Sequence, residues 1–296
     1  MGDLKGHLLP GSLFFLYGLW WAVGAIKRYL VCRRAGTRYI SSATFACPWA
    51  CGRCGSWPIE SIVKIALSSF GMLAEITFNL PHPNMGIVQH ATMYFFFTIS
   101  GVVDLLIYFG APLPPGADYI SVALAFLVEG LLFANHLHER AVLDVKIHLL
   151  LVYVVFVTVL VVLMEARIQR SALLTLARSY LLMLQGTWFW GVGIILYGHG
   201  ENNTAWKLDN PMDAMQATIY FSWHCAAHFI LLVLLVTIMS RCYRVQRDPF
   251  RNGADLPLAE LNSEDKQDGY RALTVHEDDS DIEFERPADK ALLPSR

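Results

Sequence analysis

The stretch NHLHERAVLDVKIHLLL, residues 135–151, sets His136, His138, Asp144 and His148 within thirteen residues, between two long apolar runs. Those runs decide the fold class. The chain has 296 residues, 55% of them hydrophobic and only 16% charged, with a mean hydropathy of +0.41. A soluble domain is rarely so apolar, so the composition points to a helical membrane protein. A helix that crosses hydrocarbon needs about 20 mostly apolar residues. Seven stretches qualify, at roughly 8–26, 59–80, 91–110, 118–135, 147–165, 179–197 and 215–239. The second is the weakest, because it carries Glu60, Lys64 and Glu75. The expected fold is therefore all-α, with seven transmembrane helices over residues 1–245. Residues 246–296 are polar and acidic without helical periodicity, and read as a disordered tail. The formal net charge of −2 averages these two unlike regions. Among partners, the lipid bilayer is implied and a nucleic acid is not.

Lys and Arg concentrate on the cytosolic side of membrane proteins. With the N-terminus lumenal or extracellular, the cytosolic loops carry Lys27, Arg28, Arg33, Arg34, Arg38, Arg53, Arg167, Arg170 and Arg178. Arg241, Arg244 and Arg247 then follow the last span on the same side, and the tail is cytosolic. The opposite side holds Lys5, Arg140, Lys146 and Lys207. The glycosylation sequon at Asn202 falls on the lumenal side in this topology. The first apolar run is long and lacks a small-residue cleavage site, so it reads as a signal anchor.

The same topology gathers the titratable residues. His7, His90, His136, His138 and His148 lie at or near the lumenal face, with His224 and His228 deeper in the seventh span. Glu75, Asp104 and Glu129 lie inside spans, where charge is expensive and usually faces the bundle interior. Asp144 and His148 are four apart, as are His224 and His228, so each pair shares a helix face. The reading that uses all of them is one lumen-facing pocket. Its candidate polar or metal cluster is Glu75, His90, Glu129, His136, His138, Asp144, His148 and His224. Three chemistries suit such a set. A zinc hydrolase takes three imidazoles, or two and a carboxylate, and keeps a position for water. A haem carrier needs two facing imidazoles, for which His90 and His148 are candidates. A proton-coupled site needs only groups that titrate near pH 6. Against these stands a structural role, in which the same groups tie helices together by hydrogen bonds. No catalytic residue and no cofactor is assigned.

Outside the spans, CPWACGRCGSWP (47–58) supplies Cys47, Cys51 and Cys54. With Cys32 and Cys242 they form a cytosolic set near helix ends, suited to palmitoylation. Cys32 also offers a fourth thiolate for a zinc site. The tail holds YRAL, with Tyr270 and Leu273 in the tyrosine-based sorting pattern. It also holds DKALL, with Asp289, Leu292 and Leu293 in the acidic dileucine pattern. Clathrin adaptors read both, which points to the trans-Golgi network, endosomes, lysosomes and the plasma membrane.

The stretches GHLLPGSLFFLYGLWW (6–21), HATMYFFFTISGVVDLL (90–106), NHLHERAVLDVKIHLLL (135–151), LMLQGTWFW (182–190) and SWHCA (222–226) resemble the transmembrane protein 45 family, a domain-of-unknown-function family. LNSED (261–265) is similar to part of one member's tail. The resemblance implies a seven-helix protein of Golgi, endosomal and lysosomal membranes without an assigned biochemical activity. It carries over His7, Glu75, His90, Asp104, Glu129, His136, His138, Asp144, His148 and His224 as patterned polar positions. The cysteine-rich loop and His228 fall outside that pattern.

Overall fold

In hydrocarbon a chain must satisfy its own backbone N–H and C=O groups, so each apolar run is expected to become a helix. The computed structural model describes residues 4–47, 57–78, 85–135, 137, 140–198 and 206–243. Among these residues there are seven helices and no strand. They are α1 (Leu4–Ala35), α2 (Ile59–Phe78), α3 (Met85–Tyr108), α4 (Ala117–Ala134), α5 (Val142–Arg167), α6 (Ala172–Tyr197) and α7 (Pro211–Cys242). Most run past the apolar stretches that announced them, because local capping rather than hydropathy ends them. Gly36, at φ 68°, stops α1 after Arg33 and Arg34. Asn210 caps α7 by accepting from the Met212 N–H, with Pro211 at the first helical position.

Six of the seven helices are long and apolar enough to cross a membrane. The exception is α2, so the expectation of seven spans is met by composition in six. The arrangement of α2 explains its polarity. Glu60, Ser61, Lys64 and Ser68 are buried, while Ile62, Phe70, Leu73 and Ile76 face outward. The helix is amphipathic with its polar stripe inside, the reverse of a soluble helix. Large apolar side chains cover the outside elsewhere too, among them Leu106, Leu160, Trp223 and Ile230. So much exposed hydrocarbon suits a lipid solvent, not water.

Glycines set the closest helix contact. α1 runs antiparallel to α6, with His7 opposite Gly193, Gly11 opposite Gly186 and Gly18 opposite Met183. A Cβ at Gly11 would stand 2.6 Å from the Gly186 carbonyl oxygen, and one at Gly193 would stand 2.8 Å from the His7 Cβ. Small residues permit this approach, which is how membrane helices associate where no hydrophobic effect pulls them together. α5 packs against α4, α6 and α7, and α2 pairs with α3. One apolar core joins α1, α4, α5 and α6, and a second joins α5, α6 and α7.

Candidate functional site

The bundle has two chemically different ends. One holds the starts of α1 and α5 and the end of α6. There Arg140 Nη1 donates to both carboxylate oxygens of Asp144, at 3.1 and 3.0 Å. His148 Nδ1 lies 2.7 Å from Asp144 Oδ1 and 2.9 Å from its backbone oxygen. Helical spacing places Asp144 and His148 on one face of α5, and Arg140 reaches Asp144 from the extended residues just before the helix. With Nδ1 so engaged, the opposite edge of the imidazole is left for other partners. The His7 ring of α1 lies 6.1 Å from the His148 ring, and also 5.5 Å from Tyr197.

The other expected site residues lie in separate pairs. Glu75 Oε1 and His90 Nδ1 are 3.1 Å apart between α2 and α3. Gln185 Nε2 of α6 donates to Glu129 Oε1 at 2.8 Å, both residues being buried. The remaining oxygens, Glu129 Oε2 and Gln185 Oε1, meet no protein partner among the described residues. Asp104 pairs with Lys64 at 2.5 Å. His224 and His228 both turn to the Thr187 hydroxyl, at 3.2 and 2.7 Å. Among the described residues the groups expected to share one pocket stand in local pairs, between neighbouring helices for Glu75–His90 and Glu129–Gln185 and within α5 for Asp144–His148. Among the described residues no three His, Cys, Asp or Glu side chains stand where they could share a metal ion. In each of His90 and His148 the Nδ1 edge faces a carboxylate, that of Glu75 and Asp144 respectively.

His136, His138, Asn202, Cys51, Cys54, Tyr270, Leu273, Asp289, Leu292 and Leu293 lie outside the described residues. Cys32 and Cys47 are half-buried and Cys242 is exposed, with all three thiols free.

At the opposite end lies a network that the sequence reading did not find. Arg178 and Glu165 are both 0% exposed, with Arg178 Nε 3.1 Å from Glu165 Oε2. Arg178 also donates from Nη1 to the Ala43 carbonyl at 3.0 Å and from Nη2 to the Ser42 carbonyl at 2.9 Å. Its guanidinium lies 4.2 Å from the centre of the Trp21 ring. The Thr175 hydroxyl donates to Glu165 Oε1 at 2.8 Å and accepts from the Tyr39 hydroxyl at 3.0 Å. Glu60 takes the Trp21 indole N–H at 2.7 Å and the Phe45 backbone N–H at 2.6 Å.

These bonds hold segment 37–47 inside the bundle. Tyr39, Ser41, Ala43 and Phe45 are buried at every second position, as an extended segment presenting one face inward would be. Burial also pushes the Tyr39 phenol above its ordinary value. Arg178, assigned from sequence to a cytosolic loop, is corrected to a fully buried cation. The available signal was an acid and a base flanking the short α5–α6 turn.

A model of a family of unknown function (DUF716) matches residues 115–237, which span α4 to α7. The chain is 26% identical over 267 residues to transmembrane epididymal protein 1A of Mus musculus, covering 82% of this chain and 84% of that protein. It is 25% identical over 264 residues to transmembrane epididymal protein 1 of Rattus norvegicus, with 82% and 84% covered. With the human protein of the latter name it shares 28% identity over 137 residues, 46% of this chain and 50% of that one. The chain is thus a multi-pass membrane protein similar to the transmembrane epididymal proteins, and from α4 to α7 it matches the family of unknown function DUF716.

Proposed function

We propose that the whole chain is a DUF716 member of the transmembrane protein 45 kind. In this reading seven helices cross the membrane, the N-terminus is lumenal, and the site formed by Arg140, Asp144, His148 and His7 opens to the lumen. Its role is non-enzymatic: it reports compartment acidity during traffic through the Golgi, endosomes and lysosomes. The observation that carries this is the pair of imidazoles facing each other across α1 and α5 at 6.1 Å, behind which Asp144 already balances Arg140. An ordinary imidazole takes up its proton between about pH 5 and 8. Protonation of both imidazoles adds two positive charges beside Arg140, and the start of α1 is pushed from α5.

The remaining sequence features complete the proposal. Residues 246–296 act as a tail read by clathrin adaptors through Tyr270, Leu273, Asp289, Leu292 and Leu293. Asn202 is glycosylated, and Cys32, Cys47, Cys51, Cys54 and Cys242 are palmitoylated. The alternative reading is a zinc-dependent hydrolase acting on membrane lipid; among the described residues no three His, Cys, Asp or Glu side chains stand together to hold its metal.

Amide exchange of residues 4–12 and 142–150 in nanodiscs tests the acid response. Exchange is expected to rise between pH 7.4 and about pH 5 in the wild type. It is expected to stay level in the double variant His7→Gln/His148→Gln. Equal exchange at both pH values in the wild type would refute the proposal.

A further inference from the structure

An apolar cavity of about 90 Å³ lies among α1, α2, α3, α4 and α6. Its walls include Leu13, Tyr17, Leu67, Phe97, Phe126 and Leu182. The side chains come from the middle of the helices, at depths the bilayer core occupies. One side of the bundle is left open there. α1 packs on α6 and α7 and α2 packs on α3, while across the cavity α1 meets α3 through the Phe14–Phe97 ring contact at 5.7 Å. What joins α1 to α2 is a pair of hydrogen bonds at one end. Trp21 Nε1 donates to Glu60 Oε1 and the Tyr17 hydroxyl donates to the Glu60 carbonyl oxygen. These bonds lie at the Arg178 end of the cavity, which is only partly enclosed and opens to the outside of the bundle.

We propose that this cavity takes the end of one acyl chain of a membrane lipid. The walls offer carbon, and an apolar cavity of this kind stays dry. The one cation that reaches its wall, Lys64, is held by Asp104 at 2.5 Å, so nothing there selects an anionic headgroup. Size excludes a rigid occupant: pockets for drug-sized molecules run to roughly 300–1,000 Å³, several times this volume. A flexible chain end fits, and a sterol nucleus does not. In a bilayer the fluid outside the cleft is itself acyl chain, so the site is filled from the solvent that surrounds it.

The test uses the full chain in nanodiscs doped with phosphatidylcholine bearing a diazirine near the end of one acyl chain. A parallel preparation carries a diazirine sterol. After irradiation, adducts are mapped by mass spectrometry. The acyl probe is expected to label the wall peptides containing Leu13, Leu67 and Phe97 above the outward-facing Phe70 and Ile230. Leu13→Trp and Leu67→Trp, which fill the cavity from opposite walls, are expected to abolish the wall adduct while leaving Ile230 labelled. The sterol probe is expected to leave the wall unlabelled. Equal labelling of wall and outer face overturns the proposal, as does a wall adduct that survives in a folded filled variant. Capture of the sterol at the same wall peptides overturns it too. Where a filled variant does not fold, the wild-type comparison of wall with outer face decides alone.

Discussion

Replacing Arg178 with Met removes one partner from a fully buried ion pair and leaves the Glu165 carboxylate without its countercharge. Breaking such a pair costs about 3–5 kcal/mol, most of it the penalty on the charge left behind. The lost donors also strip the Ser42 and Ala43 carbonyls, at about 1 kcal/mol for each net hydrogen bond. Because those carbonyls belong to segment 37–47, the damage is expected there first, as local release rather than global unfolding. A loss of about 3 kcal/mol raises the open population roughly a hundredfold, since each 1.4 kcal/mol is a factor of ten. The assay is maleimide labelling of Cys placed at Ala43, which is buried, against Cys placed at Ala46, which is exposed. Both are made in a chain whose native cysteines are Ser. Labelling at position 43 is expected to be slow in the Arg178 background and about a hundredfold faster with Met, while position 46 changes little. Adding Glu165→Leu to Arg178→Met is expected to restore part of the protection, because no buried charge then remains. The reasoning fails if positions 43 and 46 label equally fast with Arg178 present, or if Arg178→Met leaves the rate at position 43 unchanged.

Three further outcomes follow from the packing, each read as thermal unfolding in detergent. Lys64→Met and Asp104→Leu should each cost about 3–5 kcal/mol, while the double variant should recover most of that loss. Gly186→Ala should destabilise more than Gly36→Ala. The first drives a Cβ against the α1 backbone, and the second meets nothing within 4 Å, losing only about 1–2 kcal/mol for a left-handed residue. Thr187→Val removes the hydroxyl shared by His224 and His228 and should cost about 1–3 kcal/mol for the polar groups left unpaired.

The helices were legible because each needs a long apolar run, and runs of that length survive any choice of neighbours. Their ends were less so: α5 begins at Val142, ahead of the run at 147, since Asp144 and His148 belong to a helix that starts outside the apolar stretch. α2 looked doubtful for a related reason. A hydropathy sum counts Glu60 and Lys64 against a span without knowing that both face inward. The pairing of Asp144 with His148 was readable from a four-residue spacing. Arg178 was not readable, because its partners Ser42 and Ala43 come from a segment about 135 residues away in the chain. The acid and base flanking the α5–α6 turn hint at the Glu165 pairing but not at those distant carbonyls. The partners of the residues expected in a common pocket were not readable on the same ground. Depth along a helix can be counted from sequence, but the direction a side chain faces depends on which helices become neighbours. Glu129 found Gln185 rather than a histidine.

The most direct test of the account is the distance between the start of α1 and the start of α5, measured between spin labels at Lys5→Cys and Val142→Cys in nanodiscs. Both positions are exposed and flank the His7–His148 contact. The account predicts one narrow distribution at pH 7.4, a longer and broader one near pH 5, and no change with pH in His7→Gln/His148→Gln. Identical wild-type distributions at the two pH values would contradict it and leave the two imidazoles as packing groups.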